Sequence, residues 1–153
     1  MYVIREFDEK DIDTVLEIIS EAFIDEISRG MPKPTAEKII ESSIRSDFKW
    51  FVCETKDRAV IGFLSMTEGS VEYPAQIHLV AVKSEHRRRG IGKALIKKAL
   101  EHAKNLKISK IKVFVRPWNT SMRRICAELN LIPEAYLRKE FLNEDLILYV
   151  AFL

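Results

Sequence analysis

One stretch of this chain narrows its possible folds more than any other: residues 79–100, LVAVKSEHRRRGIGKALIKKAL. An apolar run ending Val80-Ala81-Val82 is followed by a basic turn, two glycines one residue apart, and a helical pattern. In that helix Ile91, Leu95, Ala99 and Leu106 share one stripe, with mostly Lys and Glu opposite. The start of a helix exposes backbone N–H groups that lack acceptors and carries a partial positive charge. Gly90 and Gly92 remove side chains that would keep a phosphate from those N–H groups. Arg87, Arg88, Arg89 and Lys93 add positive charge at the same place. Strand, basic turn, glycine pair and helix together read as a seat for a pyrophosphate. The pattern is not a Walker loop, because no GK[ST] follows the glycines. Nor is it the dinucleotide fingerprint, because Leu95 stands where the third glycine would be.

The flanking sequence places this unit within a larger sheet. Residues 2–7 alternate as a short strand, and Asp8 offers a helix cap ahead of Ile12, Val15, Leu16, Ile19, Ala22, Phe23 and Ile27 at helical spacing. The run 30–34, GMPKP, breaks that helix, and Thr35 caps a second one through Ser46. Residues 50–55 and 59–67 read as a hairpin around Lys56-Asp57-Arg58, and residues 75–82 as a further strand. After the glycine-led helix come a strand at 110–116, a short helix at 120–129 and a final pair of strands at 135–141 and 145–153. Seven strands and four helices in this order predict one α/β domain with a mixed sheet.

Composition sets outer bounds. A chain of 153 residues with 47% hydrophobic and 31% charged residues suits one folded domain rather than a disordered segment. The formal net charge of +2 gives no global basis for nucleic acid or anionic membrane as partners. Cys53 and Cys126 stand far apart and form no metal-ligand spacing; two lone thiols, an N-terminus charged too early for a signal peptide and no apolar run near ~18 residues predict a soluble, cytoplasmic protein without metal.

Arg87-x-x-Gly90-x-Gly92 after an apolar strand resembles the acetyl-CoA signature R/Q-x-x-G-x-G/A of the GNAT superfamily of N-acetyltransferases. The segment 115–131, VRPWNTSMRRICAELNL, is similar to that family's second cofactor segment, with Asn119 in the matching place. The element order matches too, so the resemblance spans essentially the whole chain and implies a mostly antiparallel central sheet. It implies that the backbone of Val80, Ala81 and Val82 pairs with the pantetheine arm and polarises the thioester carbonyl, a fixed dipole aimed where negative charge develops. It further implies that the amides of Arg88, Arg89, Gly90, Ile91, Gly92 and Lys93 hold the pyrophosphate. Asn119 would hydrogen-bond the cofactor near its pantetheine arm. The co-substrate is then acetyl-CoA and the partner an amine, either a peptide or a small molecule.

The sequence departs from the family where protons move. A Tyr that many members use as general acid is matched by Cys126, and the usual base positions by Gln76 and Phe114, neither of which can act as a base. His78, expected by strand alternation on the face of Gln76 and Val80, is the substitute base, and Cys126 a weak acid; Tyr73, Tyr136 and Tyr149 are alternative acids. The competing reading of these losses is a non-catalytic acyl-CoA-binding domain. The resemblance also implies that Ser28 to Pro34 and Glu140 to Asp145 wall the substrate side. FLNEDLILYV, residues 141–150, faintly resembles the ending of ribosomal-protein N-terminal acetyltransferases. The C-terminal strands offer an edge for a homodimer.

Overall fold

A computed structural model of residues 1–153 shows β1 (Tyr2–Glu6), α1 (Ile12–Ala22), α2 (Ile24–Ser28), α3 (Ala36–Ser43), β2 (Phe48–Thr55), β3 (Val60–Thr67) and β4 (Ala75–Val82). Next along the chain come α4 (Ile91–Asn105), β5 (Lys110–Val115), α5 (Thr120–Glu128), β6 (Ile132–Phe141) and β7 (Glu144–Phe152). The strands form one sheet in the order β1-β2-β3-β4-β5-β7-β6. Every neighbouring pair is antiparallel except β4 and β5. A fifth helix arises because the first predicted one divides at Phe23, whose φ of −114° and ψ of 25° leave the helical range. Neither Pro nor Gly marks that break; it turns α2 so that Glu26 reaches Arg116.

The helices cover opposite faces of the sheet. On one face Ile91, Leu95, Ile96, Ala99 and Ala103 of α4 and Cys126 of α5 pack on Leu64, Met66, Ile77, Ile111 and Val113. Leu106, expected on the α4 stripe, lies past the helix and is 45% exposed; Ala103 completes the stripe instead. On the other face Val15, Ile18 and Ile19 of α1 and Ile39 of α3 meet Trp50, Val52 and Phe63. Fully burying a Leu or Ile side chain contributes about 1.5–3 kcal/mol, so these stripes hold the helices in place. Gly62 permits a close approach: a Cβ there would stand 3.0 Å from the Ala81 carbonyl oxygen and 3.4 Å from Leu95.

Two irregularities in β4 shape the cleft beside it. First, Ser65 pairs with Leu79 and Met66 with Ile77, which leaves His78 as an extra, bulged residue. A bulge switches the faces beyond it. Ala75 and Ile77 point toward α4, and so do Val80 and Val82, whereas Leu79 and Ala81 belong to the α1 side. His78 therefore shares a face with Gln76 but not with Val80, contrary to simple alternation. Second, β5 pairs with β4 only at Ala75↔Ile111, Gln76↔Lys112 and Ile77↔Val113. Past that point the two parallel strands diverge, Phe114 and Val115 pair only with β7, and the β5-facing edge of residues 79–82 has no strand beside it.

Candidate active site

The cleft between β4 and β5 presents the backbone of Leu79, Val80, Ala81 and Val82, whose other edge is held by β3 from Gly62 to Ser65. An unpaired strand edge accepts an extended, amide-bearing chain as an added strand. Arg87 partly closes its far end, because its Nε donates to the Val82 carbonyl at 3.0 Å. Its guanidinium also lies 3.7 Å from Glu21, whose carboxylate accepts from the Ser84 amide. The Arg87 side chain thus braces the loop.

The loop then winds into α4 with alternating handedness. Arg88 (φ 63°) and Gly90 (φ 78°) are left-handed, whereas Arg87 is extended. Such alternation turns successive amides toward one concave side, an anion-binding arrangement. Gly90 is the cap residue of α4, and no side chain caps that end. By contrast Thr35 caps α3 through the Lys38 amide, and Asn119 caps α5 through the Met122 amide. No acidic residue stands in the first turn of α4. Its free amides and positive end are therefore unmet by the protein's own groups, as a seat for pyrophosphate requires. Gly92 carries no side chain, though a Cβ there would meet only Ile125 at 3.5 Å and Val82 at 4.0 Å. Among the predicted cofactor side chains, Lys93 pairs with Glu128 of α5 at 3.1 Å, Arg89 lies 3.5 Å from His86, and Arg88 is exposed to solvent. The Asn119 side chain uses its oxygen in the cap, which leaves its amide N–H groups to donate elsewhere.

His78 lies on the α1 and α3 side of the sheet, its ring stacked on Phe48 at 5.6 Å and 10°. Phe48 continues into a ladder through Trp50 to Phe63, and Trp50 is fixed by its N–H donating to Ser42 at 2.8 Å. The Nε2 of His78 is 3.2 Å from Thr67 Oγ1, and Nδ1 is 3.4 Å from the Gln76 amide nitrogen. With that amide oriented as donor, the ring carries its proton on Nε2 and its lone pair on Nδ1. His78 keeps an exposed edge, but partial desolvation where the ring packs on Phe48, then the charge of Lys112, hold the imidazole below its usual titration range. It is accordingly neutral at pH 7, as a proton acceptor must be.

Cys126 is placed differently: it is fully buried among α4, β5 and β7 residues, and burial pushes its thiol up to about 11. A donor of that strength would give its proton to a thiolate of pKa about 8.5 only uphill. Of the tyrosines, Tyr73 is exposed in the 68–74 loop, Tyr136 donates to Asp145 at 2.8 Å, and Tyr149 is buried on the α4 face. No three His, Cys, Asp or Glu side chains converge as a metal site would need. No helix is long and apolar enough to cross a membrane.

The sequence offers Asp25 and Glu26 as charges able to attract a cation, but it does not show the group that gathers around Glu26 on the α1 and α2 side of the cleft. Glu26 of α2, Arg116 just after β5, and Glu144 at the start of β7 come together there, and Arg29 reaches the same Glu144 and the Leu142 carbonyl. These residues lie far apart in the chain, and no local pattern links them. The other signal is that each predicted wall, 28–34 and 140–145, carries charged residues. A surface hollow of about 670 Å³ lies elsewhere, along α1 between Asp13 and Lys33. Only one of its lining residues, Leu16, is apolar.

Residues 12–130 match the acetyltransferase (GNAT) family. An uncharacterized N-acetyltransferase of Methanocaldococcus jannaschii is 34% identical over 117 residues, covering 67% of this chain and 48% of that protein. The chain thus spans about half the length of the curated relative it matches. An N-acetyltransferase of Staphylococcus aureus has the same fold with a TM-score of 0.87, at 18% identity over 99% of this chain and 98% of that one. A spermidine N-acetyltransferase of Vibrio cholerae, solved with CoA and spermine, superposes with a TM-score of 0.84, at 19% identity over 99% and 95% of the two chains. This chain belongs to the acetyltransferase (GNAT) family.

Proposed function

We propose that the protein transfers the acetyl group of acetyl-CoA to a primary amine by direct attack within a ternary complex. The observation that carries this reading is the join of two unmet backbone arrays. The free β4 edge runs into an uncapped, glycine-led helix start, a fit for an amide-bearing arm ending in a pyrophosphate. Acetyl-CoA supplies an acyl thioester there. The backbone of Val80, Ala81 and Val82 holds the arm and aims an amide dipole at the thioester oxygen. The amides of Arg88 to Lys93 take the pyrophosphate, and the Asn119 N–H groups donate to the arm. The acceptor enters from the α1 and α2 side; its nitrogen forms the new C–N bond as the C–S bond breaks. The Gln76 amide gives up its bond to the Nδ1 of His78, the amine proton passes to that nitrogen, directly or through water, and the thiolate leaves. Cys126 has no part in this scheme beyond packing. The chain's two thiols are both buried and unpaired, in keeping with a reducing cytoplasm.

Calorimetry with acetyl-CoA, followed by thiol release across a panel of amines, tests this directly. Binding with amine-dependent release supports it, and absence of binding refutes it. Binding without release from any amine would favour the non-catalytic acyl-CoA-binding reading, which the replacements at Gln76, Phe114 and Cys126 support.

His78→Ala is expected to lower kcat by about 10²–10⁴-fold while leaving acetyl-CoA affinity within about twofold, the usual range for a removed general base. The pH dependence carries a sign. A base works only when neutral, so the rate falls as pH drops through the His78 pKa. Lys112→Ala removes a positive charge that depresses that pKa. The acid limb of kcat against pH should therefore move to higher pH by a fraction of a unit, with the plateau unchanged. A limb that stays put, or moves down, would remove His78 from the proton transfer.

A further inference from the structure

Arg116 is the least satisfied group in the molecule. It directly follows β5, where Val113 and Val115 face α4, so its side chain turns to the opposite, acceptor side and meets Glu26 of α2. That side chain is only 13% exposed. Its guanidinium lies 5.7 Å from the centre of the Trp118 ring and 5.5 Å from that of Phe141. Nη1 is 3.4 Å from Glu26, and Nε is 2.9 Å from Glu144, but neither contact has the geometry of a hydrogen bond. Both Nε and Nη2 are shut off from solvent without a formed hydrogen bond; Nε has the off-line Glu144 carboxylate at 2.9 Å, and Nη2 makes neither a hydrogen bond nor an ion pair. Buried donors are nearly always paired, so the idle Nη2 of this buried cation calls for an oxygen that the chain does not supply. Glu26 is the complement: it is 7% exposed, and its carboxylate has only the 3.4 Å contact with Arg116. Glu144, in contrast, is held by Arg29 and by the Trp118 N–H.

We propose that Arg116 and Glu26 form a two-point site for an α-aminoacyl acceptor, the free N-terminus of a peptide. Arg116 donates to the first carbonyl oxygen, and Glu26 draws in the ammonium before it loses its proton. This rests on the N-acetyltransferase reading above and names its substrate class. In an N–Cα–C=O unit the nitrogen and oxygen stand roughly 3 Å apart, which matches the 3.4 Å between the two protein groups. A lysine side chain holds its amine too many bonds from its carbonyl to bridge them. A polyamine offers cations alone, satisfies Glu26 at most, and sets its charge against Arg116. A site built to hydrogen-bond one substrate oxygen rejects analogues that lack it. Trp118, 61% exposed, lies against the guanidinium, so this proposal requires its ring to swing aside to admit the oxygen.

The test measures kcat/KM for acetyl-CoA-dependent thiol release with four acceptors. These are a short peptide with a free N-terminus, the same peptide with its first carbonyl replaced by a methylene, an N-blocked peptide with a free lysine, and spermidine. The unmodified protein should favour the first over each of the others by at least about 100-fold, which corresponds to about 2.7 kcal/mol. Arg116→Ala should collapse that ratio while acetyl-CoA affinity, read by calorimetry, is retained, and Arg116→Lys should restore part of it. Equal rates with peptide and methylene analogue, a preference for spermidine, or an equal loss on all acceptors in Arg116→Ala would overturn this assignment alone. No thiol release from any amine by a protein that still binds acetyl-CoA would overturn it together with the transferase reading.

Discussion

Gly92→Asp is expected to leave the fold as stable as before, or slightly more so, and to weaken acetyl-CoA binding by at least about 100-fold. The two effects have separate causes. Gly92 is the second residue of α4, outside the left-handed region, and a Cβ there meets Ile125 and Val82 only at van der Waals distance. A carboxylate in the first turn interacts favourably with the helix dipole, worth about 0.3–1 kcal/mol. Replacing Gly also lowers the entropy of the unfolded chain. Both terms favour the folded state, and for a chain of this size 1 kcal/mol corresponds to about 2–4 °C in Tm. The same carboxylate, however, stands where the free amides of α4 would receive pyrophosphate, and it replaces attraction with repulsion. Thermal unfolding and calorimetry on one sample check both halves. A variant that keeps its affinity would show that the pyrophosphate does not sit at the start of α4. One that unfolds would show that α5 approaches too closely for any side chain at position 92.

Arg5→Ala should cost about 3–5 kcal/mol of stability, the range for stranding a buried charge. Arg5 of β1 donates two hydrogen bonds to Asp11, at 2.8 and 2.9 Å, and a third to Glu54 of β2 at 2.8 Å. Asp11 is 4% exposed and also accepts from the Asp8 amide, so this one carboxylate fastens the first strand to the start of α1. Burial raises the Asp11 pKa, but the Arg5 hydrogen bonds and the Asp8 amide together outweigh it and leave the group below its usual range. A depressed folded pKa contributes stability that is present above the unfolded value, ~3.9, and is lost as pH falls through the folded one. Without Arg5 burial is largely unopposed and the sign reverses: the Asp11 pKa rises, and acidification should recover stability as the carboxyl is neutralised. Denaturant titrations at pH 7 and pH 5 separate the two cases. Arg5→Met combined with Asp11→Leu should recover much of the loss, because the cost lies in the unpaired charge. No recovery would mean that the geometry of the cap matters more than its charge.

Sequence and fold agree unevenly along this chain. The seven strands are legible because each carries its own apolar alternation or run, and the caps at Asp8 and Thr35 because capping acts within three residues. The division at Phe23 is not legible, since no residue there breaks a helix; α2 turns toward a partner on a distant strand. The face of His78 escapes pattern reading for a related reason. Alternation assumes an unbroken ladder, and the extra residue is defined only by the mismatch of β4 with β3, not by anything in AQIHLVAV itself. Cys126 is legible as apolar but not as sealed, because its burial comes from α4, β5 and β7 at once.

Residue order alone accounts for a local device: a strand passing through a basic turn and two glycines into a helix with an open positive end. Backbone freedom at Gly90, the missing side chain at Gly92 and the absence of acid in the first turn need no distant partner to act. Packing of the whole chain is what aims that end and sets groups opposite it. The divergence of β4 from β5, the bulge at His78, and the meeting of Glu26, Arg116 and Glu144 all arise between strands and helices remote in sequence. Such features depend on register and on charges brought together across the sheet, and those are settled only when every strand has found its neighbour.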